Sequence, residues 1–366
     1  MIVSIILVIL FFSSLIIIHE LGHFLTARRN GVTVEEFGIG FPPAIFKFKK
    51  GQTVYSINLF MVGGFVRIKG EDEDEKIRPA KDSFNAKSLK VKTKILLAGV
   101  AMNLLLAYLF FSALAAFGMP SLVGKVAENP LFKSLPTGVS GLVVIGVNKG
   151  SPADRAQIKV GEKIISANGQ KLNSFDELKN FNKNNAGKIV TYELITPYSN
   201  KIRAVKIQLN TQEDESKGYL GLASIYEQNV RYQLWQAPIV GAIITVKLIW
   251  ATLAGLVGLI IGLFTAGKVS ENVAGPIGIT AILTHIQKFG INYLIVMLAS
   301  ISLSLGVINA LPIPALDGGR VFILYLNKLG IKISPKAEKY AHIIGFALLI
   351  LLLIIVSTRD ILRLRS

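Results

Sequence analysis

The chain has 366 residues, of which 51% are hydrophobic, and it carries a formal net charge of +17. Together with a positive mean hydropathy of +0.52, that apolar fraction is too high for an ordinary soluble protein. The charge does not indicate a nucleic-acid partner, because the basic residues cluster beside the apolar runs of the chain.

Five apolar runs cover residues 1–18, 95–117, 237–264, 291–313 and 341–356. A membrane helix needs about 20 largely apolar residues, so several of these runs are long enough to span. The sequence therefore predicts a multi-pass protein of the lipid bilayer.

Arg28 and Arg29 lie beyond the end of the first run, and lysines recur up to residue 94. By the positive-inside rule, residues 28–94 are cytoplasmic and the N-terminus is outside. A cleaved signal peptide is the alternative for residues 1–18. It would need a basic n-region and a small-residue cleavage site, and the run has neither.

The motif His19-Glu20-Leu21-Gly22-His23 follows this run directly. On a helix, residues i and i+4 share a face, so His19 and His23 can bind one Zn²⁺. Glu20 lies beside the metal and can act as the general base. The alternative is a helix end with interfacial histidines. There is no cysteine, so a metal must be bound by His, Asp or Glu.

A β-hairpin is predicted between the first two spans. The sequence KFKKGQTVYSINL has strand-forming residues on both sides of Lys50-Gly51-Gln52, which predicts the turn. The acidic run from Glu71 to Glu75 has the composition of a solvated loop.

Residues 121–225 form the one large polar block. GSPADRAQIKVGEKIISANG resembles a bacterial PDZ domain, and such domains bind extended peptides by adding a strand to a sheet edge. A helix is predicted to start after Ser174, with Glu177 three residues on. The alternative is a spacer domain without a peptide ligand.

The third zinc ligand is expected in NALPIPALDGGR, residues 309–320. Pro312, Pro314 and the two glycines after Asp317 end the helix and allow close approach of the backbone. Asn309 can donate to a carbonyl or orient a peptide. The alternative is a loop whose Asp317 caps the next helix.

Two further histidines, His285 and His342, are expected to be interfacial or structural. Each lies in an apolar stretch without polar company.

These motifs, in this order, resemble the site-2 protease family of intramembrane zinc metalloproteases, and the PDZ block resembles its bacterial regulator-of-sigma-E branch. MVGGFVRIKG and VAGPIGI (273–279) support the resemblance. The family often carries Gly-Pro-x-x-Asn in the second span, where this chain has Gly99 and Asn103 without the proline.

The resemblance implies an endopeptidase that uses zinc and cuts single-span membrane proteins, such as anti-sigma factors or signal-peptide remnants. Its zinc ligands are His19, His23 and Asp317, and its base is Glu20. The candidate substrate-binding residues are Asn309, Pro312, Pro314, Gly63 and Gly64.

The predicted fold is a multi-span α-helical membrane protein of about four transmembrane helices, with a membrane-associated β-hairpin and one PDZ domain outside the cytoplasm. Both termini are expected outside a bacterial plasma membrane. The predicted regions are a first span (1–28), a hairpin loop (29–94), a second span (95–117), the PDZ domain (121–225), a helical region (226–290) and the last two spans (291–366).

Residues 237–264 are apolar enough to cross, but a crossing would put Asp317 on the wrong face of the membrane for His19. We therefore predict a re-entrant or interfacial helix there, with Lys247 and Trp250 near the headgroups.

Two other functions are possible, but each explains fewer of the motif residues. A PDZ adaptor without proteolytic activity would not need the zinc and base residues, and a transporter or channel would not need Glu20 beside two spaced histidines.

Overall fold

The computed structural model describes residues 2–71, 80–120, 123, 132–196, 201–212, 218–266 and 275–365. Residues 72–75 of the acidic run and 273–274 of VAGPIGI lie outside the described residues. The chain forms two compact units. The first contains Met1–Tyr108, Thr245–Ala281 and Leu298–Ser366, and the second contains Leu109–Ile244 and Ile282–Met297.

Most of the apolar sequence is helical. The long helices are α1 (Ile2–Arg29), α3 (Ala98–Phe117), α6 (Ala237–Ala266), α8 (Ile291–Asn309) and α10 (Pro335–Arg365), and the shorter ones are α2 (Leu89–Leu96), α7 (Pro276–Ile286) and α9 (Asp317–Lys328).

Within the described residues, five helices are long and apolar enough to cross a membrane. The candidate spans are Leu10–Arg29, Ala98–Phe117, Ala237–Leu259, Ile291–Asn309 and Lys336–Leu362. The count exceeds the four predicted spans by one, because α6 is an unbroken 30-residue helix. Its predicted re-entrant or interfacial position stays a prediction.

The predicted hairpin is confirmed. Strand β1 (Val34–Lys50) pairs antiparallel with β2 (Thr53–Ile68) around the turn at residues 51–52. At its base, Phe37 and Tyr55 pack on Phe24 of α1. The rest of the hairpin exposes large apolar side chains, which is the surface expected of a membrane-facing element. They are Phe41, Ile45, Phe46, Phe48, Leu59, Phe60 and Met61.

The polar block folds as an antiparallel sheet with two helices, which we call the inserted domain. Its elements are β3 (Leu135–Val147), α4 (Pro152–Arg155), β4 (Lys163–Ala167), β5 (Gln170–Lys171), α5 (Phe175–Asn184), β6 (Ile189–Ile195), β7 (Ile202–Gln208) and β8 (Leu222–Arg231). The strand order is β7-β6-β4-β3-β8, with β5 beside β4. Its core includes Leu142, Ile164, Tyr192 and Leu194, all buried.

The helix predicted after Ser174 is confirmed, because α5 starts at Phe175 and the Ser174 hydroxyl accepts from the Glu177 N–H at 3.0 Å. The predicted domain end at residue 225 is wrong. Strand β8 continues to Arg231, which pairs with Leu135 at the start of β3.

The inserted domain is fastened to the beginning of α8 within the second unit. The Tyr293 hydroxyl donates to the buried Glu227 carboxylate, which also lies 3.2 Å from the Lys163 ammonium. A Cβ on Gly161 would fall 2.1 Å from the Lys288 carbonyl oxygen, so the two backbones are in contact.

A buried carboxylate holds the start of α7 in the first unit. Asp360 of α10 accepts from the backbone N–H groups of Gly275 and Gly278, at 2.9 and 2.8 Å. These are the N–H groups that a helix leaves unpaired at its N-terminus, so Asp360 caps α7. This contact accounts for the two described glycines of VAGPIGI.

Candidate metal centre

Two predicted metal ligands lie one turn apart on α1, and the third meets them from the first residue of α9. The Nε2 atoms of His19 and His23 are 3.2 Å apart. The Asp317 Oδ2 atom lies 3.1 Å from the first and 3.4 Å from the second. The structure therefore brings together three side chains from opposite ends of the sequence.

The spacing of these atoms fits a small divalent cation. With bonds of about 2.0–2.1 Å and tetrahedral geometry, the ligand atoms around zinc lie about 3.3 Å apart. The Asp317 Oδ2 atom is buried and has no hydrogen-bond partner within the described part of the chain. A buried carboxylate oxygen facing two imidazole nitrogens is costly unless a cation joins them. His19, His23 and Asp317 therefore fit zinc.

Glycine makes room for this cluster where α1 meets α3. A Cβ on Gly99 would fall 2.4 Å from the His23 Nε2 atom and 2.6 Å from the His19 Nε2 atom. On the facing helix, a Cβ on Gly22 would fall 2.4 Å from the Ala98 carbonyl oxygen. The two helix backbones can approach closely only because both positions lack a side chain.

The other ring nitrogen of each histidine has a fixed partner. The Nδ1 atom of His23 lies 2.8 Å from the Ile95 carbonyl oxygen, so it carries the proton and donates. That tautomer leaves a lone pair on Nε2, where a metal would bind.

His19 is oriented by Asn103 of α3. Its Nδ1 atom lies 3.3 Å from the Asn103 Nδ2 atom, while the buried Asn103 Oδ1 atom has no partner in the described part of the structure. With this amide reversed, Nδ1–H of His19 donates to Oδ1, which leaves the lone pair of the His19 Nε2 atom for a metal. Ser302 of α8 holds the Asn103 backbone through a 2.9 Å bond from its hydroxyl to the carbonyl oxygen.

Sequence reasoning left the role of Asn103 open, although its i,i+4 spacing from Gly99 places both residues on the face of α3 that carries the site.

A cavity of about 240 Å³ opens beside the ligand atoms. Glu20 and Asn309 line it together with His19, Asn103 and Asp317. A carboxylate and a carboxamide therefore border the open space beside the ligand atoms. Pro312 and Pro314 belong to the neighbouring loop and do not line this cavity.

The two hairpin glycines lie against α1. Gly63 has a φ of +87° and packs near Ile16, and its N–H lies 3.4 Å from the Ser13 hydroxyl oxygen. A Cβ on Gly64 would lie 3.8 Å from Cγ of Glu20. Strand β2 therefore passes beside the predicted base.

Glycine also sets the direction of Asp317. Cβ atoms on Gly318 and Gly319 would fall 2.2 Å from the Ala310 carbonyl oxygen and 2.1 Å from the Ile313 carbonyl oxygen. The first turn of α9 therefore lies directly on the preceding loop, and the predicted close backbone approach is made to that loop.

Comparison with known proteins connects this chain to a peptidase family. The model of peptidase family M50 matches residues 7–352. The regulator of sigma-W protease RasP of Bacillus subtilis is 29% identical, over 99% of this chain and 99% of its own length. A putative zinc metalloprotease of Clostridium acetobutylicum is 32% identical, over 98% and 97%. One of Fusobacterium nucleatum is 29% identical, over 95% of both chains.

Among solved structures, the PDZ domain of an SdrC-like protein from Listeria monocytogenes matches 25% of this chain and 93% of its own, with 20% identity and a TM-score of 0.21.

Proposed function

The chain belongs to peptidase family M50, and from that premise we propose that it cuts the membrane-spanning segments of single-span proteins with one zinc ion. His19, His23 and Asp317 would hold the metal. The observation that carries the proposal is the triangle of their ligand atoms, 3.1–3.4 Å on each side, beside a cavity that Glu20 lines.

Zinc at this position would act as a Lewis acid and lower the pKa of a water molecule to about 7. Among the described residues that line the cavity, Glu20 is the one carboxylate outside the ligand set. It therefore takes the proton of the attacking water and passes it to the leaving amine. Asn309 can donate from its amide to the oxyanion that forms on the scissile carbonyl. Removing such a donor typically costs about 10²–10³ in rate.

A helical substrate must unwind before its carbonyl can be attacked, because its peptide bonds are hydrogen-bonded along the helix. We assign this task to β2, which passes Glu20 at Gly64. An unwound segment would add to the hairpin as a further strand. The exposed apolar side chains of the hairpin support a position within the bilayer.

The arrangement of the second unit supports the proposed topology. Strand β8 belongs to the inserted domain, and the beginning of α8 contacts that domain through Tyr293 with Glu227 and through Lys288 with Gly161. The segment between them must therefore start and end on one side of the membrane. Helix α7 has 11 residues and is too short to cross. A single crossing by α6 would separate the two ends, so α6 is best placed as a re-entrant or interfacial helix.

With this topology, α8 runs from the inserted domain toward the cytoplasmic side and delivers Asp317 there. The N-terminus of α1 lies outside, so His19 and His23 approach the same depth, just before Arg28 and Arg29. The inserted domain and both termini lie outside the cytoplasm of a bacterial plasma membrane.

The proposed substrates are anti-sigma factors or signal-peptide remnants. The similarity to the Bacillus relative, a regulator of sigma-W protease, supports the first of these classes. The inserted domain would bind a peptide as a PDZ domain, through the edge of its sheet.

The test is cleavage of a single-span reporter by the purified protein in liposomes, with Glu20→Gln as the control. The wild-type chain should cut within the reporter's membrane segment, and Glu20→Gln should lose about 10²–10⁴ in rate. A wild-type chain that leaves the reporter intact would favour the adaptor, and uncut reporter with ion flux would favour a channel.

A further inference from the structure

The loop that carries Asp317 has a strained backbone two residues before the proposed ligand. Ala315 has a φ of +81°, the left-handed region that residues with a Cβ seldom adopt. Such a conformation is strained and persists only where its surroundings hold it. Because Ala315 precedes Asp317 by two residues, its backbone angles set the direction of the carboxylate.

The last helix holds this residue. The backbone N–H of Ala315 donates to the Nδ1 atom of His342 at 2.7 Å. Three residues later on the same face of α10, a Cβ on Gly345 would fall 2.4 Å from the Pro314 carbonyl oxygen. Helix α10 therefore contacts both residues 314 and 315, by a hydrogen bond and by direct backbone contact.

The loop of residues 310–316, between α8 and α9, has few hydrogen bonds of its own that could hold residue 315. Pro312 and Pro314 have no N–H to donate. The N–H groups of Ala310 and Leu311 bond to carbonyls of the last turn of α8. Those of Ile313 and Leu316 bond within the loop, to the Leu311 carbonyl at 2.8 Å and to the Ile313 carbonyl at 3.1 Å. The Ala315 N–H is donated outside the loop, and His342 is its acceptor.

We propose that His342 is a positioning residue of the metal centre: its Nδ1 atom holds Ala315 in the left-handed conformation and so aims Asp317 at His19 and His23. The inference rests on the proposed ligand set. It gives His342 a role in metal binding without contact to the metal, since its bond reaches the backbone and not Asp317 itself.

The proposal is tested with two substitutions that differ in where they place an acceptor. Asn carries its oxygen on Cγ, the atom that bears Nδ1 in histidine, whereas Gln carries it one bond farther out. His342→Asn should keep most of the zinc affinity. His342→Gln should lose about 10–100-fold, the usual effect of removing a residue that orients a ligand. The measurement is zinc competition with a chromophoric chelator on the full-length protein.

Ala315→Gly provides the second arm. Glycine adopts positive φ without strain, so it should reduce the need for His342. In the Ala315→Gly background, His342→Gln should recover most of the lost zinc affinity. If His342→Gln alone does not fold, the zinc affinities of Ala315→Gly with and without His342→Gln can still be compared.

Three results would overturn the proposal: wild-type affinity in folded His342→Gln, equal losses in the Asn and Gln variants, or no recovery with Ala315→Gly. Asp317→Ala in the same assay distinguishes a wrong ligand set from a wrong role for His342. If Asp317→Ala binds zinc normally, the proposed ligand set is wrong. If it loses zinc while His342→Gln does not, only the role of His342 is wrong.

Discussion

Gly99 faces His23 so closely that a Cβ at position 99 would lie 2.4 Å from the Nε2 atom. That atom is the one proposed to bind the metal, so any side chain at position 99 competes with the metal for space. We expect Gly99→Ala to lower zinc affinity by at least the roughly tenfold effect of disturbing a ligand's surroundings. The measurement is the zinc content of the purified protein after dialysis against a weak chelator.

The matched control is Gly255→Ala in α6, where no atom lies within 4 Å of the added Cβ. It should keep wild-type zinc content. Equal zinc in the two variants would mean that α3 does not confine the metal site.

Tyr293 joins the inserted domain to the start of α8. Its hydroxyl donates to the buried carboxylate of Glu227, which also pairs with the Lys163 ammonium at 3.2 Å. Hydrogen bonds to charged groups contribute about 1.5–3 kcal/mol, so Tyr293→Phe should lower the thermal unfolding midpoint in detergent.

The control for this contact is Tyr226→Phe. Tyr226 precedes Glu227 in strand β8, and its side chain is 37% exposed. It should leave the midpoint unchanged. If both variants unfold at the wild-type temperature, the bond to Glu227 does not stabilise the protein.

The position of α6 can be measured with topology reporters. Dual reporters fused after Leu263 and after Gly290 distinguish the two sides of the membrane. We expect an extracytoplasmic signal after Gly290, because Lys288 and Tyr293 contact the inserted domain. Cytoplasmic signals from both fusions would place Asp317 on the wrong side for His19.

The parts of the site that follow from local spacing could be read from the sequence. His19, Glu20 and His23 share a helix face by their numbering alone, and the hairpin turn at Gly51 follows from turn chemistry. Asp317 could be proposed because Pro312, Pro314 and two glycines interrupt an apolar run. The roles of these residues in zinc binding and catalysis stay predictions.

The remaining features depend on contacts between distant segments, which one sequence does not show. His342 lies in an apolar helix, and only the folded chain brings it to Ala315. Asn103 and Gly99 contact the two histidines only because α3 packs on α1. The end of the inserted domain was misplaced because the pairing of Arg231 with Leu135 spans most of that domain.

The central claim is that Asp317 completes a metal site with His19 and His23 while Glu20 acts without binding the metal. It is tested most directly by measuring bound zinc and reporter cleavage together in Asp317→Ala and Glu20→Gln. We predict that Glu20→Gln keeps about one zinc per chain, since three protein ligands suffice for a catalytic site, yet does not cut. Asp317→Ala should lose both zinc and cleavage. Full zinc content in Asp317→Ala, or normal cleavage by Glu20→Gln, would contradict the account.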